Sequence, residues 1–212
     1  MNVCLYTSIS PGCADFAHAT TPSKLRYCLR HGYSLALQNR PYDEAVVKSL
    51  WDVLELLADF DVVWTLDADC LVTGTQPIHE LPGLGQNVTV CEEGIVAWNR
   101  LNCGSMVWRR TRETREILNF LIGAEERWRR MPCGWQTLLG DLSKDPISIG
   151  GFLTVLPQRA FNSVAWNHGD AAGAGQSYWQ PGDLVYHPCG IVPHSLRATA
   201  LRDVAAWTEA TS

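Results

Sequence analysis

Long apolar runs are absent from this sequence. No stretch of its 212 residues approaches the ~18 consecutive apolar residues that a membrane-spanning helix needs. Residues 1–10 also lack the basic start and the length of a secretory signal peptide. The sequence therefore predicts a protein without a transmembrane segment, and we expect a cytoplasmic location.

An excess of positive charge is missing too. Lys and Arg number 17 against 22 Asp and Glu, and the net charge of −5 argues against non-specific binding to nucleic acid. The eight cysteines are widely spaced with no C-x-x-C pair, so the spacing of a zinc site is absent. A disulfide-stabilised domain has more than ~8% cysteine, so we expect reduced and mostly buried thiols.

The composition and length are those of one globular domain. The chain is 46% hydrophobic and 18% charged, which is enough apolar material for a proper core. Short β-rich runs alternate with longer helical patterns, and this alternation predicts an α/β sheet. The predicted strands cover residues 2–8, 33–37, 61–66, 88–91, 104–108, 152–156 and 184–187.

Three helices can be predicted between these strands. The first has Thr21 as its N-cap and Pro22 at the first helical position, and it ends before Gly32. The second covers residues 43–58, where apolar side chains recur on one face. The third covers residues 111–130, with glutamate and arginine spaced for i,i+4 ion pairs near its end.

Two carboxylates, Asp67 and Asp69, follow the predicted strand 61–66 and are separated by Ala68. Side chains at i and i+2 of an extended strand point to the same side. If the strand continues to its end, both carboxylates face the carboxyl edge of the sheet, where open α/β folds bind ligands. Such a pair suits Mg²⁺ or Mn²⁺, which keep open positions for diphosphate oxygens. Alternatively, the two carboxylates simply begin an exposed loop.

Further candidate residues lie later in the chain. A short strand ends at His187, whose imidazole would complete a manganese site with the two aspartates, and Gly190 follows closely. In mid-chain, Asn102 and Gly104 offer an amide and a backbone without a side chain. A histidine of this kind is more often structural, and a plain turn would also explain the Asn and Gly.

Six segments of the sequence, taken in order, resemble one glycosyltransferase family. The segments are Arg30 to Tyr33, Lys48 with Trp64 to Asp69, Leu101 to Ser105, Trp135 with Gln136, Leu156 to Arg159 with Phe161 to Ser163, and Gly182 to His187. The family has the GT-A fold and includes yeast mannoprotein galactosyltransferases and plant xyloglucan xylosyltransferases. The resemblance extends from about Thr7 to Gly190.

The resemblance implies a single Rossmann-like GT-A domain over residues 1–212, with a mostly parallel central sheet flanked by helices. Its nucleotide-binding part would cover about residues 1–100, and its acceptor and metal-completing part about residues 101–200. The implied activity is transfer of a hexose or pentose from a nucleotide sugar, with a UDP-sugar as the expected donor, to an acceptor hydroxyl with retention at the anomeric carbon. A glycan, a protein or a modified nucleobase would supply that hydroxyl.

The resemblance also implies roles for individual residues. Mn²⁺, or Mg²⁺, would be ligated by Asp69 and His187, and Asp67 would bind the metal or the ribose and take part in catalysis. Such an ion stabilises the negative charge that develops on the departing diphosphate. Gln136 would be the catalytic residue near the anomeric carbon. The implied donor-binding residues are Thr7, Ser8, Lys48, Asp67, Ala68, Asn102, Gly104, Gly190 and His194.

The chain departs from the family pattern at two places. Gly134 and Trp135 stand before Gln136 where relatives commonly carry acidic residues. No carboxylate nucleophile is visible there, so we favour front-side attack by the acceptor. Relatives also often carry a lysine shortly after the metal histidine; either His194 or Arg197 would substitute for it, or the donor would be held more weakly.

Two alternative functions stay open from the sequence. The first is a domain that binds a nucleotide sugar or a glycan without turnover, because the expected acid before Gln136 is missing. The second is a haloacid dehalogenase-type metal-dependent phosphatase, whose D-x-D loop is nearly matched by residues 66–72. In that family the motif lies near the start of the domain, whereas here about 60 residues precede it.

Overall fold

The computed structural model describes residues 1–94, 100–145, 147, 149–165 and 177–211. Two β-sheets lie within these residues. Their strands are β1 (Val3–Ile9), β2 (Ser34–Asn39), β3 (Val62–Leu66), β4 (Leu71–Val72), β5 (Val88–Glu92), β6 (Leu101–Arg109), β7 (Leu153–Leu156), β8 (Ser163–Val164) and β9 (Val185–His187).

The central sheet has six strands in the order β2-β1-β3-β6-β5-β7. β6 runs antiparallel to both of its neighbours, and the other pairings are parallel. The prediction of a mostly parallel α/β sheet is therefore confirmed, and every strand predicted from the sequence is present to within a few residues. Sequence analysis missed β4 and β8 because two-residue strands are too short to display alternation.

The smaller sheet brings two distant segments together. Its order is β4-β9-β8, in which β9 pairs antiparallel with β4 and parallel with β8. Leu71, two residues after Asp69, is thereby paired with Tyr186, the residue before His187. This strand pairing thus brings the candidate ligands Asp69 and His187 close together.

Helices cover both faces of the central sheet. On one face Tyr27 of the first helix packs against Leu5 and Trp64, and on the other Leu50 packs with Tyr6 in a separate core cluster. The alternation of β1 explains this division, because neighbouring side chains point to opposite faces. The helices are α1 (Ala14–His31), α2 (Tyr42–Asp59), α3 (Arg112–Gly123), α4 (Glu125–Trp128), α5 (Trp135–Leu142) and α6 (His194–Thr211).

The predicted start of α1 at Thr21 is wrong. The helix begins at Ala14, and Pro22 lies inside it. Phe16 and Ala17 are buried, and burial of these apolar side chains stabilises the first turns despite the N–H that the proline lacks. The predicted end is confirmed, because Gly32 adopts the left-handed conformation with φ 68° and caps the helix.

The predicted helix over residues 111–130 is divided in two. Thr111 caps α3 by accepting a hydrogen bond from the N–H of Thr114, but the helix ends at Gly123 and α4 follows. The Trp128 indole is buried and donates to the carbonyl of Leu121 at 2.7 Å. This contact folds α4 back onto α3.

Two expectations about the whole chain can be compared with the structure. All eight cysteines are free thiols, as expected. Among the described residues, no helix combines the length and the apolar character needed to cross a membrane.

Candidate functional site

A cleft of about 710 Å³ lies at the carboxyl ends of β1 and β3. This size falls within the range of ~300–1,000 Å³ that is typical of small-molecule sites. Ser8, Asp69, Gln136 and His187 all contribute to its walls. Residues predicted from separate parts of the sequence therefore meet in one cavity.

Asp67 and Asp69 come together through a turn and not through continued strand alternation. β3 ends at Leu66, and the N–H of Cys70 donates to the carbonyl of Asp67 at 3.0 Å, which closes the turn. The turn leaves Asp67 exposed and Asp69 buried. The expectation that the strand pattern continues through both carboxylates is wrong, although both still line the cleft.

Two side chains of α1 hold this turn from behind. Thr20 donates its hydroxyl to the carbonyl of Ala68 at 2.7 Å, and Lys24 donates Nζ to the carbonyl of Asp67 at 2.8 Å. The two residues are one helical turn apart and both are fully buried. Burial lowers the pKa of Lys24 to about 8, against the opposing effect of the nearby thiol and carboxylates. Sequence analysis did not identify either residue.

His187 lies between the two carboxylates. Its Nε2 is 3.4 Å from Oδ1 of Asp69 and 3.9 Å from Oδ2 of Asp67, and the side chain is almost completely buried. Burial alone would lower the pKa of His187, but Cys70, Cys189 and the carboxylate of Asp69 hold it well above its usual value. The imidazole is thus surrounded by groups that favour a positive charge at its position.

The second oxygen of Asp69 is occupied by Arg197. Nη1 of this α6 residue is 2.9 Å from Oδ2 of Asp69, and its side chain lines the cleft. Burial opposes ionisation of Asp69, but His187 and Arg197 together lower the pKa of this carboxyl well below its usual range. Asp69 is therefore a carboxylate with one oxygen on a guanidinium and the other directed at His187.

Asp67 is in a different environment. Of its side chain, 61% is open to solvent. The walls of the cleft and the charge of Asp69 raise the pKa of Asp67. It is the more accessible of the two carboxylates.

The donor atoms fit a hard divalent cation. Adjacent ligands of such an ion lie roughly 3 Å apart, given metal–ligand distances of about 2.1 Å. The separations of 3.4 and 3.9 Å around His187 need only a small adjustment to meet this geometry. Cys70 groups with Asp69 and His187 as well. However, the Cys70 thiol already donates to the carbonyl of Gly104 at 3.2 Å, and burial raises the pKa of Cys70, which disfavours the thiolate that metal ligation needs.

Amide groups line the cleft beyond the candidate metal site. Asn102 Oδ1 accepts from the N–H of Gly104 at 3.1 Å, and its Nδ2 donates to Oε2 of Glu93 at 3.1 Å. Gln136 Oε1 accepts from the N–H of Cys103 at 3.0 Å. Glu93 lines this part of the cleft and is a carboxylate that sequence analysis missed, because it lies after β5 in a segment with no motif of its own.

The remaining predicted donor-binding residues fall in different places. Ser8, Ala68 and Gly190 line the cleft. Thr7 and Gly104 are buried beside it, and neither is among the lining residues. Lys48 on α2 and His194 at the start of α6 are exposed and also lie outside the lining. The roles of these residues stay predictions.

Comparisons of sequence and of structure give different results. No protein-family profile and no curated protein sequence matches this chain. Its structure matches that of a glycosyltransferase involved in the glycosylation of the major capsid of PBCV-1, with a TM-score of 0.74 and 16% identity over 96% of this chain and 100% of that one.

Two further solved structures are similar along nearly their whole length. The galactosyltransferase LgtC, in complex with donor and acceptor sugar analogs, has a TM-score of 0.63 and 13% identity, covering 96% of this chain and 95% of its own. Mouse xyloside xylosyltransferase 1, in its apo form, has a TM-score of 0.56 and 11% identity, covering 91% and 99%. At these identities the likeness concerns the fold, and the predicted resemblance to GT-A glycosyltransferases is confirmed at that level.

Proposed function

We propose that this chain, which has the GT-A fold, transfers a hexose or pentose from a nucleotide sugar to an acceptor hydroxyl with the help of a divalent cation. The observation that carries the proposal is the meeting of Asp67, Asp69 and His187 in one cleft. Hard oxygen and imidazole donors at a sheet edge are suited to Mn²⁺ or Mg²⁺. We take a UDP-sugar as the donor.

Asp69 Oδ1, His187 Nε2 and Asp67 would hold the cation. When bound, that cation supplies positive charge to the departing diphosphate. The turn that carries the carboxylates is fixed by Thr20 and Lys24, so little reorganisation is needed at this end of the cleft. Such preorganisation is the main way in which a protein stabilises developing charge.

Arg197 is the residue we assign to the diphosphate. It stands on the cleft wall at 2.9 Å from Asp69, whereas His194 is exposed outside the lining. A guanidinium beside the metal carboxylate offers several N–H donors to phosphate oxygens. Arg197 would therefore take the place of the lysine that the family resemblance leads us to expect after the metal histidine.

Sugar transfer would take place at the end of the cleft that holds Asn102, Gln136 and Glu93. The acceptor oxygen would attack the anomeric carbon on the face that the diphosphate leaves, the bond to the diphosphate would break, and the acceptor proton would pass to the departing oxygen. This front-side course retains the anomeric configuration. A solved active-site variant of LgtC replaces a glutamine by glutamate, which supports a role for Gln136 here.

Glu93 would supply the carboxylate that Gly134 and Trp135 do not. A negative group near the anomeric carbon stabilises the oxocarbenium-like state through which glycosyl transfer passes. Glu93 lines the cleft and accepts a hydrogen bond from Asn102, which holds its carboxylate toward the amide groups. We assign it to charge stabilisation.

A glycan is the acceptor that we favour. Trp135 is half-buried on the cleft wall directly before Gln136, and an indole face suits the apolar side of a sugar ring. The LgtC structure holds an acceptor sugar analog, which supports the same class. A protein hydroxyl and a modified nucleobase are the other acceptor classes to be compared.

The test is a panel of nucleotide sugars incubated with the purified protein, with and without Mn²⁺, while free nucleotide is measured. We expect one UDP-sugar to be slowly hydrolysed only when the metal is present, and faster when a suitable glycan is added. Binding without any release of nucleotide, with every acceptor class added, would favour a non-catalytic binding domain. Cleavage of a general phosphatase substrate with Mg²⁺, without nucleotide-sugar binding, would favour the phosphatase.

A further inference from the structure

We propose that Asn162 is a positioning residue of the cleft, which fixes both the ligating tautomer of His187 and the orientation of the Asn102 side chain. The inference rests on the proposed function, since it takes His187 as a metal ligand. Asn162 follows the short 3₁₀ turn Gln158–Ala160 and immediately precedes β8. Its side chain is fully buried.

Both polar atoms of the Asn162 amide are in use. Nδ2 donates to the carbonyl oxygen of Asn102 at 3.1 Å and to Oδ1 of the same residue at 2.9 Å. Oδ1 of Asn162 lies 2.9 Å from Nδ1 of His187. The amide is therefore shared between the imidazole and the asparagine, with no hydrogen left over.

This arrangement determines which nitrogen carries the proton when the His187 imidazole is neutral. Rotating the Asn162 amide by 180° would place its oxygen against the two oxygens of Asn102, so the assignment of its nitrogen and oxygen is unambiguous. Because Oδ1 of Asn162 accepts only, Nδ1 of His187 must be the donor. A neutral imidazole that is protonated on Nδ1 has its lone pair on Nε2.

Nε2 is the nitrogen that faces the carboxylates. It lies 3.4 Å from Asp69 and 3.9 Å from Asp67, on the side where the cation would be held. Histidines that ligate metals usually donate their other ring N–H to an oxygen, which fixes the ring and raises its basicity. Asn162 is that partner for His187.

The Asn162 amide also positions groups at the sugar end of the cleft. Asn102, held by Asn162, donates its own Nδ2 to Glu93 at 3.1 Å and accepts from the N–H of Gly104. A continuous series of hydrogen bonds thus joins Glu93, through Asn102 and Asn162, to His187. One buried side chain therefore positions groups at both the metal end and the transfer end.

Two measurements separate the effect at the metal end from the effect at the transfer end. The first is Mn²⁺ binding in the presence of saturating UDP, monitored by electron paramagnetic resonance of the free ion, and the second is turnover. We expect Asn162→Ala to weaken Mn²⁺ binding about 10- to 100-fold, the usual result of losing the partner of a metal ligand. We expect Asn162→Asp to keep Mn²⁺ affinity within about threefold, because it retains an oxygen for Nδ1 of His187. Its turnover should fall at least about tenfold, because Asn102 loses the two hydrogen bonds that Nδ2 of Asn162 donates to it.

Ser163→Ala is the matched control. Ser163 is the next residue, is also buried, and directs its hydroxyl to Asp183 at 2.9 Å. The Mn²⁺ affinity of Ser163→Ala should equal that of the wild type, and thermal melts of all variants report folding.

Unchanged Mn²⁺ affinity in a folded Asn162→Ala protein would overturn the proposal. If Asn162→Ala does not fold, a loss of Mn²⁺ binding in Asn162→Asp overturns it instead. A wild-type protein that binds no Mn²⁺ would contradict the proposed function itself.

Discussion

Gly104 lies directly against the imidazole of His187. A Cβ built on Gly104 would overlap Cε1 of the ring and come within 2.6 Å of Nδ1, a separation that real Cβ atoms do not show. The absence of a side chain at this position is therefore a requirement of the buried histidine. The family resemblance predicts that Gly104 faces the donor sugar, and its contact with His187 is a separate steric requirement at the same position.

Replacing Gly104 by alanine should displace the His187 ring from the carboxylates. We expect Gly104→Ala to lose most Mn²⁺-dependent nucleotide binding, measured by calorimetry, while the secondary structure seen by circular dichroism is retained. Gly123→Ala is the control, because nothing lies within 4 Å of the added methyl group. Wild-type metal dependence in Gly104→Ala would show that the ring position is not needed for binding.

Arg197 should contribute to nucleotide-sugar affinity more than to metal affinity. Hydrogen bonds to charged groups contribute about 1.5–3 kcal/mol, so Arg197→Ala should weaken donor binding about 10- to 100-fold. The control is Arg202→Ala, which removes an exposed arginine of the same helix. An equal or larger loss in His194→Ala would assign the phosphate contact to His194 instead.

Gln136 and Glu93 should affect turnover more than donor affinity. Both lie at the end of the cleft where transfer is proposed, so Gln136→Ala and Glu93→Gln should lower kcat by at least about tenfold, since electrostatic groups at a reacting centre are commonly worth that much or more. KM for the donor should change by less than about threefold. Equal losses in kcat and in donor affinity would make each an ordinary binding residue.

Much of the fold and part of the candidate site could be predicted from the sequence. The strands were predictable because each of the seven longer ones is a run of β-forming residues between turns. That Asp69 and His187 lie near the same sheet edge was predictable, because Asp69 comes shortly after one such strand and His187 ends another. How the carboxylates converge was not predictable, since it depends on the turn closed by Cys70 and Asp67.

Other site residues were hidden because their contacts are tertiary. Lys24 looks like any charged residue of a helix, and only the docking of α1 on the turn buries its ammonium against the carbonyl of Asp67. Asn162 and Glu93 acquire their partners only when β6 and the smaller sheet are in place. The start of α1 was missed for a related reason, because burial of Phe16 outweighs the local effect of Pro22.

Alkaline pH should destabilise the fold through Cys4 on β1. Burial raises the pKa of its thiol from 9.0 to about 11. Between these values the unfolded chain loses the proton while the folded chain keeps it, so rising pH favours unfolding. Under reducing conditions, the free energy of unfolding should fall faster for the wild type than for Cys4→Ala, by up to roughly 1.4 kcal/mol per pH unit. Parallel curves in urea titrations from pH 9 to 11 would contradict this assignment.

Calorimetric titration of a nucleotide sugar, with and without Mn²⁺, into the wild type, Asp69→Asn and His187→Ala tests the central claim most directly. The account predicts that the wild type binds only with the metal, and that both variants lose this binding while they melt as folded proteins. Asp141→Asn, which alters an exposed carboxylate paired with Lys144, should bind like the wild type. Unchanged Mn²⁺-dependent affinity in both Asp69→Asn and His187→Ala would contradict the account.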